Sequence, residues 1–252
     1  RKESSAASDV YKRQPLWNAM VTKTLHPSDP MSRCERAEAA VDEEFAALRV
    51  EKVWRENEPM EEADAKEQFP DAHFAGLHSI VGVKNHESPN EDDHIFKGRV
   101  VLDGHAVRDS TGAAAIFSNI GNTPSTMAAA RVALACAAVD QELTLLQSDC
   151  KRAYTQAKFD GPPTFIRLPK RWWPEHWKRF KRPVCRLDKA LYGHPKAGDI
   201  WGDRLEHVLV CERGLQPIEG WPSVFIKRFE RRNGGKPGVM LVIAYVDDLL
   251  FL

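Results

Sequence analysis

The last fifteen residues, 238–252, constrain most strongly what this chain can fold into. An apolar run at 239–244 has the composition of a buried strand, but Tyr-Val-Asp-Asp at 245–248 interrupts it before apolar residues resume. Two carboxylates about 5 Å apart repel each other by roughly 3 kcal/mol at an effective dielectric of about 20. The pair is therefore expected either to bind a metal ion such as Mg²⁺ or a cationic partner, or to lie at an exposed hairpin tip, where Asp is a common turn residue.

Charge is distributed unevenly along the chain although its formal net charge is zero. Residues 35–93 contain 17 acidic and 6 basic residues, a net charge of −11, whereas residues 151–189 contain 12 basic and 3 acidic residues, a net charge of +9. The basic segment is suited to contact phosphates, and the alternative is a solvated charged surface. A content of 42% hydrophobic and 29% charged residues is typical of a soluble globular domain and excludes a fibre or wholesale disorder.

The cysteine and hydropathy patterns bear on the compartment. The five cysteines are odd in number and widely spaced, without a Cys-x-x-Cys pair, which favours a reduced intracellular setting. The sequence contains no stretch of about twenty uninterrupted apolar residues, so a membrane span is not predicted. Residues 1–14 lack an initial Met, an apolar signal core and any periodicity, so we interpret them as a tail or an assembly scar.

Four segments of the first half have readable patterns. Residues 33–54 predict a helix with an apolar stripe, and the acidic residues 59–70 predict an exposed connection. Residues 78–84 and 96–102 predict two strands of a hairpin. Residues 126–139 predict an alanine-rich helix. The residues expected to pack in the two helices are Ala37, Ala40, Val41, Phe45 and Leu48, then Met127, Val132, Leu134, Ala135 and Val139.

The second half predicts a strand at 143–149 that ends in Asp149, and a helix at 199–209. Taken alone, an Asp at the end of a strand is more often a turn former or a helix cap than a ligand.

Several ordered sequence blocks resemble the reverse transcriptases of copia-type LTR retrotransposons. The resemblance extends from about residue 32 to the end of the chain, and the first Asp precedes the Asp-Asp pair by 98 residues. The blocks are Lys97-Gly98-Arg99-Val100-Val101, then 148–154 with Asp149 and Tyr154, then 184–193 ending in Leu191-Tyr192-Gly193, then Trp201, and finally 245–248.

The resemblance implies an α+β fold of the right-hand polymerase type. Residues 1–31 would be a tail that is disordered or left from assembly, and residues 32–140 would form a fingers-like portion. Residues 141–252 would form a partial palm, an antiparallel sheet backed by helices. A thumb would be absent. The chain ends four residues after Asp248, so we expect it to be truncated after the Tyr-Val-Asp-Asp motif. RNase H and integrase would lie elsewhere in the Pol polyprotein.

The same resemblance assigns the catalytic and metal-binding roles to Asp149, Asp247 and Asp248. These residues would hold two Mg²⁺ ions, with Mn²⁺ as a substitute, in two-metal nucleotidyl transfer. One ion would activate the primer 3′-hydroxyl and the other would orient a deoxynucleoside triphosphate. The implied partners are an RNA or DNA template with its primer, and no membrane.

Other residues would contact the nucleotide by resemblance. Tyr154 would pack against the sugar and exclude a 2′-hydroxyl, with an ordinary core aromatic as the alternative. Lys97 and Arg99 would contact the triphosphate. The alternative is that they are surface residues exposed to solvent. Lys196 occupies the position where relatives carry a Gln near the nucleotide, and a lysine binds phosphate as a point charge without the planar hydrogen bonds of an amide.

The basic tract predicts a nucleic-acid surface. Lys170, Arg171, Lys178 and Arg179 would contact the backbone, with Tyr245 also assigned to nucleic-acid binding, and interleaved tryptophans add stacking surface. Packing of these tryptophans into the fold is the alternative.

Three functional hypotheses follow. In the first, the chain is part of an active RNA-directed DNA polymerase, which would act in a cytoplasmic virus-like particle or in the nucleus. The second is a truncated or decayed retroelement fragment that at most binds nucleic acid, favoured by Lys196. The third, a host interaction protein that keeps the fold without the chemistry, is disfavoured because the three acids are intact.

Overall fold

A computed structural model describes residues 22–117, 123–230 and 238–252. The chain divides into two units. The first comprises Ser79–Arg99 and the described residues up to Glu44, and the second comprises Phe45–His78 and Val100–Leu252. None of the described helices is long and apolar enough to cross a membrane.

Helices and strands occur together, so the fold is mixed α+β, as predicted. The α-helices are α1 (Glu35–Val50), α2 (Glu62–Gln68), α3 (Met127–Val139) and α4 (Ala197–His207). The strands are β1 (Lys23–Thr24), β2 (Met60–Glu61), β3 (His73–Lys84), β4 (Ile95–Leu102), β5 (Leu146–Asp149), β6 (Thr164–Arg167), β7 (Pro183–Arg186), β8 (Gln216–Pro217), β9 (Val224–Phe229), β10 (Gly238–Tyr245) and β11 (Asp248–Phe251). Short 3₁₀ turns occur at Pro30–Arg33, Glu91–Asp93, Gly104–Ala106, Tyr154–Gln156, Lys170–Trp172 and Glu175–Trp177, and a π-helical turn at Val208–Glu212 follows α4.

Strand β3 pairs with β4, as predicted. Strand β1 adds to the end of β3 in antiparallel register, with Lys23 opposite Val83, so part of the range 1–31 is regular structure. Gly98 lies against the backbone of α1, and a Cβ there would collide with the carbonyl of Ala40. The glycine of the Lys-Gly-Arg block is therefore required by close packing.

The second unit contains two sets of paired strands. In the first set, the start of β3 runs parallel to β6, β6 pairs antiparallel with β7, and β7 pairs antiparallel with β2. The second set is an antiparallel sheet in the order β5-β11-β10-β9-β8. Because successive residues of a strand point to opposite faces, Val242 packs with Leu209 and Leu215 on one face, and Ile243 packs with Ala129 of α3 on the other.

The predicted helix at 33–54 is shorter than expected. Helix α1 ends at Val50, and Trp54 instead forms an isolated bridge with Leu187. The predicted stripe is otherwise correct, since Ala37, Val41, Phe45 and Leu48 are buried and Ala40 is half-buried.

The prediction of an exposed connection at 59–70 is wrong. This segment forms β2 and α2, and Glu62 is 4% exposed. Arg167 donates two hydrogen bonds of 2.9 Å to the Glu62 carboxylate, and Lys66 forms an ion pair with it at 3.1 Å. These cations hold the pKa of Glu62 down at about 2 despite its burial. The acidic composition of this segment therefore gave no indication that one of its acids, Glu62, is buried with cationic partners.

The predicted packing residues of α3 are also wrong. The helix begins where expected, because the Thr126 side chain accepts a hydrogen bond from the Ala129 amide. Its buried residues, however, are Ala129 and Ala133. The predicted packing residues Met127, Val132, Leu134, Ala135 and Val139 are all exposed. Small side chains face the sheet because they let the helix approach it closely.

The backbone conformation of Gly193 and its surroundings explain why the Leu-Tyr-Gly block ends in a glycine. Its φ of +88° lies in the region that favours glycine, and a Cβ there would collide with the carbonyl of Leu102. The amide of Leu102 also donates to the carbonyl of Tyr192 at 2.7 Å. The chain therefore crosses its own backbone at a point where no side chain fits.

Candidate active site

The three predicted catalytic acids meet at one end of the antiparallel sheet. Asp248 begins β11 and lies directly across from Asp149, the last residue of β5. Asp247 lies in the turn between β10 and β11, and its carbonyl accepts a 2.7 Å hydrogen bond from the amide of Cys150. Asp149 and Asp248 are exposed and Asp247 is half-buried. Strand pairing thus joins residues that are far apart in sequence.

A buried tryptophan holds the turn that carries the acids. Val246 has a φ of +58°, which is rare for a β-branched residue because its side chain crowds the backbone in that region. The indole Nε1 of Trp201, on α4, donates a 2.7 Å hydrogen bond to the Val246 carbonyl. Trp201 is 5% exposed, so the bond is shielded from water. The tertiary contact stabilises a turn that its own sequence does not favour.

The electrostatic field of the acids reaches neighbouring side chains. The pKa of the Cys150 thiol is raised, first by burial and then by Asp149, Asp247 and Asp248. Burial and then Asp247 raise the pKa of the Tyr154 hydroxyl. Burial and the charges of the three carboxylates therefore shift the pKa of the Cys150 thiol in the same direction.

The donor chemistry of the three acids fits a hard divalent cation. Such cations take oxygen ligands, and carboxylates provide them. Among the described residues, no three His, Cys, Asp or Glu side chains are grouped closely enough to hold a metal ion. Strand pairing and the turn bring the backbone of the three acids to the same end of the sheet.

The loop after Asp149 is held by an acid that the sequence patterns did not reveal. The Thr155 hydroxyl donates a 2.6 Å hydrogen bond to Glu51, and Arg152 forms an ion pair with the same carboxylate. Burial alone would raise the pKa of Glu51, but the hydrogen bonds from Arg152 and Thr155 outweigh it, and the pKa is lowered. Glu51 thereby anchors the segment that leads from Asp149 to Tyr154.

The predicted nucleotide-contacting residues of the second unit have different settings. Tyr154 is half-buried, with its ring centroid 4.4 Å from that of Tyr192. Lys196 is half-buried, and its amide donates a 3.1 Å hydrogen bond to His194 Nδ1. The lysine also lines a cavity of about 670 Å³ together with Gln156.

Lys97 and Arg99 belong to β4 in the first unit. Both are exposed, in the alternating pattern predicted for one face of a strand. Their role towards a triphosphate remains a prediction.

The basic tract combines exposed cations with packed tryptophans. Lys170, Arg171, Lys178 and Arg179 are all exposed. Trp177 is fully buried, and its indole donates a 2.9 Å hydrogen bond to the Glu56 carbonyl. Trp172 stacks on Phe45 with ring centroids 4.0 Å apart. Stacking with bases is therefore not available to Trp177, while the charged side chains remain accessible to phosphates. Tyr245, the other predicted nucleic-acid contact, is 56% exposed and lies opposite Asp248 in the hairpin.

Comparison with known proteins gives one match. The family model for reverse transcriptase (RNA-dependent DNA polymerase) matches residues 78–252, which include all three acids. Searches of curated proteins and of solved structures each gave no significant match.

Proposed function

Because the chain belongs to the reverse transcriptase (RNA-dependent DNA polymerase) family, we propose that it is the reverse transcriptase segment of a copia-type retrotransposon Pol polyprotein. It would extend a primer on an RNA template by two-metal nucleotidyl transfer. The observation that carries the proposal is the pairing of Asp149 with Asp248, beside Asp247 in the adjoining turn.

In this proposal Asp149, Asp247 and Asp248 hold two Mg²⁺ ions, or Mn²⁺ in their place. The bound ions would activate the primer 3′-hydroxyl and neutralise charge on the triphosphate. The protein contributes a turn held by Trp201 and a paired strand on each side of β11, which together fix the backbone that carries the three acids.

Substrate contacts follow from the surrounding residues. The Tyr154 ring, supported by Tyr192, would pack against the sugar of the incoming deoxynucleotide. Lys196 would contact phosphates as a cation, and the same role is proposed separately for Lys97 and Arg99 of the first unit. The exposed cations of the basic tract, with Tyr245, would bind the template and primer.

We further propose that the segment with β4 corresponds to the fingers and the antiparallel sheet to the palm of a right-hand polymerase. The thumb, RNase H and integrase would then come from other parts of the polyprotein. The protein would act in a cytoplasmic virus-like particle or in the nucleus.

Primer extension on an RNA template with deoxynucleoside triphosphates and Mg²⁺ tests the proposal. We expect the wild-type chain to extend the primer and Asp247→Asn to lose nearly all extension while remaining folded by circular dichroism. Asp64→Asn, at an exposed position on α2, is the matched control and should retain activity. Full activity of Asp247→Asn would overturn the assignment.

A second candidate is an inactive retroelement fragment that at most binds nucleic acid. It is favoured by Lys196, which stands where relatives carry a glutamine. The two candidates are separated by the same assay: binding of primer-template that falls steeply with salt, without extension in Mg²⁺ or Mn²⁺, identifies the second.

A further inference from the structure

A cavity of about 430 Å³ lies between the antiparallel sheet and α4 with its π-helical turn. Its volume falls within the range of about 300–1,000 Å³ in which small-molecule sites occur. Helix α4 and the turn contribute one wall, and β10 and β11 contribute the other. The apolar side chains of these walls include Trp201, Leu205, Val208, Met240, Val242 and Leu249.

The charged groups of this cavity are all cations. Arg204, Arg213 and Lys227 line it, and no carboxylate is among its described lining residues. Arg204 is paired with Glu212 at 2.9 Å, and the Lys227 amine donates to the Arg213 carbonyl. An ammonium group has three donors, so Lys227 keeps hydrogen-bonding capacity for another acceptor. The Arg213 residue is exposed.

The cavity also adjoins an irregular helix segment. Val208 and Leu209, which line it, belong to the π-helical turn Val208–Glu212. Single π-helical turns occur frequently at functional sites, since they shift side chains out of the regular helical register. The irregular turn therefore forms part of the cavity wall.

From the apolar walls and the cationic rim we infer that this cavity binds an amphipathic monoanion, an alkyl carboxylate with its chain between the sheet and α4 and its head group at Arg213 and Lys227. The apolar chain gains from removal from water, and the carboxylate gains charge-assisted hydrogen bonds. The occupant would lie beneath the acids, because Cys150 and Leu249, the neighbours of Asp149 and Asp248, also line the cavity.

Binding of monomeric dodecanoate to the full chain, measured by isothermal titration calorimetry, tests this inference. We expect saturable binding at one site. Leu205→Trp, which fills the cavity, should abolish it. The double variant Arg213→Gln/Lys227→Gln should weaken it by about tenfold or more, because two cationic partners of the carboxylate are removed. Dodecyltrimethylammonium, with the same chain and the opposite charge, should not bind there.

Two control variants separate the cavity from other surfaces. Arg228→Gln removes an exposed cation of β9 that does not line the cavity, and Leu134→Gln removes an exposed apolar residue of α3. Both should leave dodecanoate affinity unchanged. Failure of the wild type to bind, equal binding of the cationic detergent, or loss of binding in Leu134→Gln would each overturn the inference. If Leu205→Trp does not fold, the double variant Arg213→Gln/Lys227→Gln decides between the outcomes. The measurement does not require polymerase activity, so its failure leaves the proposed function untouched.

Discussion

Asp149 and Asp248 are direct partners across the antiparallel pair β5–β11. Like charges that face each other across two strands oppose folding, by roughly 0.2–1 kcal/mol relative to neutral pairs. The arrangement stabilises the protein only if a cation neutralises it. Stability and the proposed activity are therefore expected to respond in opposite directions to removal of one charge.

We predict that Asp248→Asn raises the free energy of unfolding in metal-free buffer by up to about 1 kcal/mol. Primer extension should fall about a hundredfold or more, because the metal ions lose a ligand. Urea titration and the extension assay measure the two effects. In a double-mutant cycle with Asp149→Asn, the stability gains should be less than additive, since either change relieves the same repulsion. Additive gains would contradict a direct interaction.

A second prediction concerns Trp201→Phe. Without the indole N–H, the Val246 carbonyl loses its 2.7 Å hydrogen bond, and unfolding should become easier by about 1–3 kcal/mol. If Trp201 positions the acids, the Mg²⁺ concentration for half-maximal extension should also rise.

The matched control for this effect is Trp173→Phe, which removes a 2.8 Å indole hydrogen bond to the Leu168 carbonyl. This variant is expected to lose stability without a change in Mg²⁺ dependence. An equal shift in both variants would show that the indole bond of Trp201 acts only through global stability.

Tyr154 provides a test of sugar selection. Loss of the ring in Tyr154→Ala opens space beside the proposed sugar position, so ribonucleotide incorporation relative to deoxynucleotide should increase by about 10- to 100-fold. Tyr154→Phe keeps the ring and its contact with Tyr192, and should retain discrimination. Competition between the two nucleotides in single-turnover extension gives the ratio. Unchanged selectivity in Tyr154→Ala would remove Tyr154 from this role.

His194 makes stability depend on pH. Its pKa is lowered from 6.5 to about 4, first by burial and then by the charges of His73 and Lys196. Between these values the unfolded chain binds a proton that the folded chain does not, so stability falls as pH decreases from 6.5 towards 4. The loss between pH 7 and pH 5 should be about 2 kcal/mol from this residue.

The comparison variant is His194→Asn, which cannot titrate but keeps an acceptor for the Lys196 amide. Urea unfolding of both proteins at the two pH values gives the difference. We expect the variant to lose about 2 kcal/mol less than the wild type over this interval. Equal losses would assign the pH dependence to other groups.

Local sequence patterns predicted the elements best where a strong periodicity coincided with burial. The stripe of α1 and the pairing of β3 with β4 are in this class, because apolar spacing and alternation act over only a few positions. The same reasoning failed for α3, where hydrophobicity on all sides of the helix left the buried face undefined. It failed again at Glu62, whose cationic partners Arg167 and Arg182 come from much later in the chain.

The sequence by itself determined the ordered blocks, the three acids and membership in the family, since these depend on residue identity and spacing. Only the tertiary structure decided that Asp149 faces Asp248, that Trp201 holds Val246, and that a cavity remains beneath them. A strand register that joins residues 99 positions apart and a hydrogen bond that joins residues 45 positions apart are set by packing of the sheet against α4. Such distant contacts leave no periodic signal in either segment, because each partner obeys only its own local pattern.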